Sequence, residues 1–355
     1  MQTSEPVASG QALRVLQTDP LAAECPLPAQ QEFLTPTPLF YIRNHFPIPD
    51  LTPEQWRLRV DGLVERPLTL SLADLRQLPA RAFPATLECA GNGRALLEPP
   101  APGLQFHYGA VSTAEWRGVP LRTVLDLAGL QPGAREVVCI GADGGFEKEV
   151  GAQLDFRRSL PLEKALAPET LLAYEMNGAP LTPEHGFPLR LVVPGWYGMA
   201  SVKWLVGLRV VADSFDGWFQ RDRYVLDPAP DGGVAPLTRL RVKSHIAWPT
   251  AGERLPVGRH RVRGMAWSGE VPVVRVEVST DRGATWRPAA LSAPVSPFAW
   301  QPWTFDWEVA EPGAYELWAR ATDARGESQP LRPSWNRLGY ANNAVHRVPV
   351  HVVTA

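Results

Sequence analysis

The sequence predicts an α+β protein, a mixed α/β domain followed by an all-β immunoglobulin-like sandwich. Three observations lead there. From Trp56 to about Val211, short β-like runs alternate with modest helical segments, too irregularly placed for a doubly wound βαβ repeat. Composition shifts after Asp227, where Pro228–Pro236 is rich in Pro, Gly and Ala and reads as an interdomain linker. Beyond it come about seven short alternating runs in about 115 residues, the density of a sandwich.

The elements follow in chain order. Residues 1–32 are polar and Pro/Ala-rich and are expected to form an N-terminal extension; the first domain is expected over 33–230 and the sandwich over 237–355. The runs Trp56–Val60, Glu136–Ile140, Leu189–Val193 and Val206–Val211 read as strands. Ser71-Leu72-Ala73-Asp74 has the form of a capping box, followed by Leu75 and Leu78 and stopped at Pro79. A second helix is expected over Leu121–Ala128, ended by Gly129. The sandwich runs include Arg239–Lys243, Arg259–Met265, Val273–Ser279, Trp303–Val309, Ala314–Ala321 and His346–Val352. Asp281-Arg282-Gly283 and Glu311-Pro312-Gly313 supply turns between them. Tryptophans crowd this half, which suits both core packing and a subunit interface.

Composition narrows the functions. A formal net charge of -2 gives no basic excess to attract nucleic acid or an anionic membrane. No apolar run approaches the ~20 residues needed to span a bilayer. The 37 Pro and 29 Gly indicate a turn-rich chain, and three Cys (Cys25, Cys89, Cys139) cannot make a disulfide framework. None of them has a CxxC or CxxCH spacing, so a covalent haem or zinc ribbon is not expected. Residues 1–30 show no secretory or twin-arginine signal, so a cytoplasmic protein is expected; a periplasmic protein trimmed of its leader would read the same.

Three strings can carry chemistry. Thr86-Leu87-Glu88-Cys89-Ala90-Gly91-Asn92-Gly93-Arg94 ends an apolar run on a thiol, then a Gly-rich turn, then a guanidinium expected to lower the thiol pKa. A soft thiolate in an anion-receptive turn suits a soft metal or a nucleophile, although a lone Cys is more often an inert buried thiol. Arg43-Asn44-His45 sits in an extended segment and by itself is an ordinary polar loop. In the block from His185 to Leu205, His185, Arg190 and Lys203 bracket an apolar stretch containing Ser201 and offer donors to a phosphate. Gly91, Gly93, Gly186, Gly195 and Gly198 would permit close backbone approach.

With these strings in this order, the chain resembles the sulfite oxidase family of molybdenum-cofactor enzymes from about Phe33 to its end. The match continues in Gly264–Gly269, Ser279–Trp286 and Asn342–Val348. The resemblance implies a molybdopterin-binding domain and a dimerising sandwich, with Mo-molybdopterin and no haem in the chain. It implies Cys89 as the molybdenum ligand. Arg43, Asn44, His45, His185, Arg190, Ser201 and Lys203 are implied as cofactor contacts, joined by Asp143 from an expected Gly141–Gly145 turn. Arg43, Arg94 and Tyr224 are implied at the substrate. The implied reaction is oxidation of sulfite to sulfate, with electrons leaving to a separate acceptor such as a cytochrome.

The family pattern is broken in three places. Arg223 stands before Tyr224 where the family has Asp, and Phe106 stands where it commonly has Trp. Arg337, counted with the catalytic residues, lies one position early, so either it reaches the pocket from a shifted backbone or that charge is missing. Sulfane sulfur, a sulfoxide or nitrate are alternative substrates for the same cofactor. A non-catalytic β-sandwich scaffold is the alternative of another class.

Overall fold

The computed structural model describes residues 12–229 and 231–354. Two five-stranded sheets build the first part of the chain. In one, Leu205–Val211 lies between Leu58–Gly62, to which it is parallel, and Glu136–Glu147, to which it is antiparallel. In the other, Arg81–Glu88 pairs with Val111–Pro120, which pairs in turn with Leu171–Met176. Both expected helices form. Leu72–Gln77 carries the full Ser71/Asp74 capping box, and Leu121–Ala128 ends at Gly129 with φ 69°.

Two expectations change, and the expected N-terminal extension gains a structure. Its residues 12–32 are folded. Arg14–Thr18 and Leu21–Glu24 form a three-stranded sheet with Ile42–Arg43, and buried Gln30 donates to the Val111 carbonyl. The first eleven positions of the expected extension lie outside the described residues. The Gly141–Gly145 string is not a turn but the middle of the 12-residue strand Glu136–Glu147. Its register against Ala152–Pro161 breaks between Ile140 and Gly144, and such a bulge re-aims a side chain. The linker is a short hairpin, Val225–Leu226 against Ala235–Pro236, whose loop includes Pro230, outside the described residues.

The C-terminal half is the expected sandwich, a four-stranded sheet facing a five-stranded one. Its first strand is Lys243–Trp248, so the run Arg239–Lys243 precedes the strand rather than forming it. Trp267, Trp300, Trp303 and Trp307 are buried, which settles those four as packing residues. The sandwich has a core of its own, and a second core spans both halves, in which Met265, Trp267, Trp300, Leu338 and Tyr340 join residues of the first sheets. The Trp300 N–H donates to Thr86 Oγ1, and the Thr86 N–H donates to the Phe298 carbonyl. The strand leading to Cys89 is therefore clamped by the sandwich.

Candidate active site

One cleft of about 660 Å³ gathers most of the residues singled out by sequence. Arg43, Asn44 and His45 enter from the edge of the three-stranded sheet, and Cys89 from the end of strand Arg81–Glu88. Asp143 enters from the bulged strand, and His185, Arg190, Ser201 and Lys203 from the loops around Arg190–Val192. Tyr224 also lines the cleft.

The floor of the cleft is electropositive. The Arg190 guanidinium donates to the carbonyls of His185 (3.1 Å) and Ser201 (3.2 Å) and stacks over Trp116; burial lowers its pKa to about 10, so it stays charged. Lys203 donates to Asn44 Oδ1 and the Glu184 carbonyl, with burial and Arg190 pulling its pKa down. Asp143 is pushed up to about 7 by burial, against the pull of Lys203. Gly186, at φ 101°, lets the chain turn where a Cβ would press within 3.0 Å of Lys203 and 3.1 Å of Arg190. His185 departs from its expected role as a cation. Burial, Lys203 and Arg190 hold its pKa at about 3, and its Nε2–H is aimed at the Thr37 carbonyl, 3.3 Å away.

At the other end stands the thiol. Burial raises the Cys89 pKa, outweighing the opposing pull of Arg43, the Gly91 N–H and Arg94, so the expected lowering by Arg94 does not prevail. His45 bridges Arg43 and Tyr224. A guanidinium only donates, so its approach to His45 Nδ1 (3.4 Å) makes that nitrogen the acceptor. Burial and then Arg43 keep the ring neutral, so Nε2 carries the proton and donates to the Tyr224 hydroxyl oxygen. The phenolic hydrogen is left free to donate. Tyr224 is held by stacking on Tyr340 (5.3 Å), with Arg158 over its ring.

A recess of about 380 Å³ shares Arg43, Cys89 and Tyr224 with the cleft and adds Arg94, Phe106, Arg223, Leu338 and Tyr340. Arg94 donates to the carbonyls of Leu338 and Leu104 and lies over Tyr340. Arg337 is not brought to either space. Its side chain is 58% exposed and paired with Asp227 at 2.7 Å, because the one-residue offset turns Leu338, not arginine, inward. Among the five glycines expected to admit a ligand, only Gly198 lines the cleft; Gly195 packs against Glu270. Cys25 and Cys139 are buried thiols with pKa values pushed up to about 12. Tyr340 and Arg158 were not foreseen, and no local pattern marks them. Glu88 was foreseeable, since a carboxylate inside an apolar run needs a buried cation.

Comparison with known proteins bears on the family. Residues 45–219 match the family model of an oxidoreductase molybdopterin binding domain, and residues 235–353 that of a Mo-co oxidoreductase dimerisation domain. Sulfite oxidase of Gallus gallus is 41% identical, over 94% of this chain and 77% of its own length. The chain belongs to the sulfite oxidase family. Inducible nitrate reductase (NADH) 2 of Glycine max is 35% identical over 96% of this chain but only 42% of its own length, so the chain spans under half of that relative. The crystal structure of sulfane dehydrogenase SoxCD from Paracoccus pantotrophus matches with TM-score 0.82 at 28% identity, over all of this chain and 90% of that one. The protein is thus a molybdenum-cofactor oxidoreductase of the sulfite oxidase type, and the scaffold alternative is set aside.

The cleft suits the family's cofactor. Asn44 Nδ2 and Asp143 Oδ1 are buried and have no partner among the described residues, so polar atoms await a ligand. Arg43, Arg190 and Lys203 face a single carboxylate, Asp143, and an anionic group would balance them. Among the described residues no cluster of three or more His, Cys, Asp or Glu is placed to hold a metal. A lone thiol is what a metal carried largely by its own organic ligand requires. Metal binding would also deprotonate the buried Cys89.

Proposed function

We propose that this sulfite oxidase-type enzyme oxidises sulfite, with SO3²⁻ and H2O giving SO4²⁻, 2 H⁺ and two electrons that leave singly to a separate acceptor such as a cytochrome. The observation that carries this is the recess beside Cys89. Three guanidinium groups (Arg43, Arg94 and Arg223) line it with Tyr224; among the described residues no carboxylate lines it, and Glu149 pairs with Arg223 from outside. Fixed guanidinium groups in a water-poor recess favour a small dianion without reorganising around it. Tyr224, its oxygen already accepting from His45, can donate its hydrogen to a substrate oxygen.

Cys89 would ligate the molybdenum. Asn44, Asp143 and Lys203 would hold the pterin side, while His185, Arg190 and Ser201 would enclose its phosphate; Arg43 and His45 stand between the two ends. When bound, the molybdenum cofactor supplies the oxygen-atom transfer and takes up the electron pair. The chain orients the oxyanion, neutralises its charge and keeps the Tyr224 proton aimed at it. The sandwich is taken to pair two copies of the chain.

The test is a substrate panel on cofactor-loaded protein with ferricyanide as acceptor. Sulfite is expected to give the highest kcat/KM. The likeness to a sulfane dehydrogenase supports a second reading, in which a sulfane-sulfur compound is oxidised instead. Preference for thiosulfate or another sulfane over sulfite would establish that reading and overturn the first.

A further inference from the structure

We propose that Arg223 is a substrate-binding residue, the third guanidinium of the oxyanion recess, and that it sets affinity for dianionic oxyanions. Arg223 and Tyr224 form the bend between the helical turn Trp218–Arg221 and the strand Val225–Leu226, and both line the same recess. Tyr224 has φ 53°, in the left-handed region that a large side chain rarely adopts. The turn is fixed on both sides. The Arg223 N–H donates to the Trp218 carbonyl, and the Leu237 N–H of the returning hairpin donates to the Tyr224 carbonyl. A strained backbone is thus held in place by two elements at the point where Arg223 and Tyr224 meet the recess.

Arg223 is also incompletely satisfied. One terminal nitrogen pairs with Glu149 at 3.2 Å, but the buried Nε–H has no partner among the described residues. Arg94, by contrast, spends two of its N–H groups on the Leu338 and Leu104 carbonyls. A guanidinium with a buried free donor, in a recess lined by two others and, among the described residues, by no carboxylate, fits a compact anion with several oxygens. The exposed Arg337, paired with Asp227, provides none of this charge.

That the anion is sulfite rests on the function proposed above; that Arg223 binds a dianion does not. The experiment therefore has two readouts on cofactor-loaded protein: sulfite kinetics, and calorimetric binding of sulfate, which needs no turnover. Arg223→Met is expected to raise KM for sulfite at least tenfold, with kcat within about threefold, and to weaken sulfate binding by a similar factor. Arg223→Lys is expected to lie between, and Arg337→Gln to match the wild type. Wild-type KM and sulfate affinity in Arg223→Met would overturn the proposal, as would absence of sulfate binding to the wild type. If the wild type binds sulfate through Arg223 but does not oxidise sulfite, the inference stands and the sulfite function falls. Should Arg223→Met fail to fold, Arg223→Lys carries the test alone, and wild-type values in it overturn the proposal.

Discussion

The Lys243 ammonium lies 2.9 Å from a carboxylate oxygen of Glu88, and both side chains are only 2% exposed. Lys243 opens the first strand of the sandwich, and Glu88 immediately precedes Cys89. The other Glu88 oxygen accepts from Trp267 Nε1 at 2.8 Å, and Asn92 Nδ2 donates to the first. Lys243 also donates to the Asn92 carbonyl. One buried ion pair therefore ties the sandwich to both sides of the thiol and fixes where it points.

Lys243→Met leaves Glu88 buried without its cation. Removing one member of a buried pair costs about 3–5 kcal/mol, so we expect a clear fall in the denaturant midpoint. We also expect lower molybdenum content after purification, because the Cys89 loop loses its brace. The double variant Lys243→Met/Glu88→Gln should regain part of the stability. An unchanged midpoint in the single variant would show that the pair does not hold the two halves together.

Cys89→Ser keeps the fold, since the side chain is small and its backbone N–H bonds to the Ala110 carbonyl whatever the residue. It is expected to bind pterin, read by fluorescence of the released cofactor, and to lack sulfite turnover with ferricyanide. Retained turnover would remove Cys89 from the metal.

Tyr224→Phe deletes the hydroxyl that faces the cleft, and Arg94→Gln deletes a charge of the recess. Each is expected to lower kcat/KM for sulfite more than tenfold, a loss of about 1.4 kcal/mol or more of transition-state stabilisation. Arg94 also ties two carbonyls, so its thermal midpoint should be measured beside the kinetics. Near wild-type kinetics in both variants would sink the assigned recess.

The buried histidines should contribute stability that rises with pH between about 3 and 6.5, against an opposing contribution from Asp143, whose carboxyl is pushed up to about 7. Burial holds His346 at about 3, and its Nδ1 accepts the Ile246 N–H at 2.9 Å. In that window the unfolded chain binds the proton and the folded one does not, so acid favours unfolding, by about 2 kcal/mol for this ring at pH 5. His185, also at about 3, adds to the same slope. His346→Asn offers an acceptor that does not titrate and should flatten the pH dependence of the denaturant midpoint; an unaltered slope would mean that His346 is protonated in the fold.

Much of the site was legible because its residues come in short strings. The chemistry of Arg43-Asn44-His45, of the cysteine loop and of the block from His185 to Lys203 depends on neighbours within a few positions, and the structure gathers all three strings into one cleft. The capping box at Ser71 and the stop at Gly129 were legible for the same reason, being local backbone chemistry. What sequence missed depends on register and burial. The Gly141–Gly145 string looked like a turn because its glycines suit one, but pairing with Ala152–Pro161 draws it into a bulged strand. The offset of Arg337 was visible, yet its outward turn onto Asp227 was not.

The sequence by itself determined the two-part architecture, the thiol, most of the cofactor-side residues and the family. Patterning, turn chemistry and ordered motifs are short-range properties that a linear reading preserves. Only the tertiary structure decided which cations stay charged, which arginines reach the thiol, and that Lys243 braces Cys89 from 154 positions away. Those outcomes depend on desolvation and on contacts between distant segments. Both exist only once the chain has closed around them.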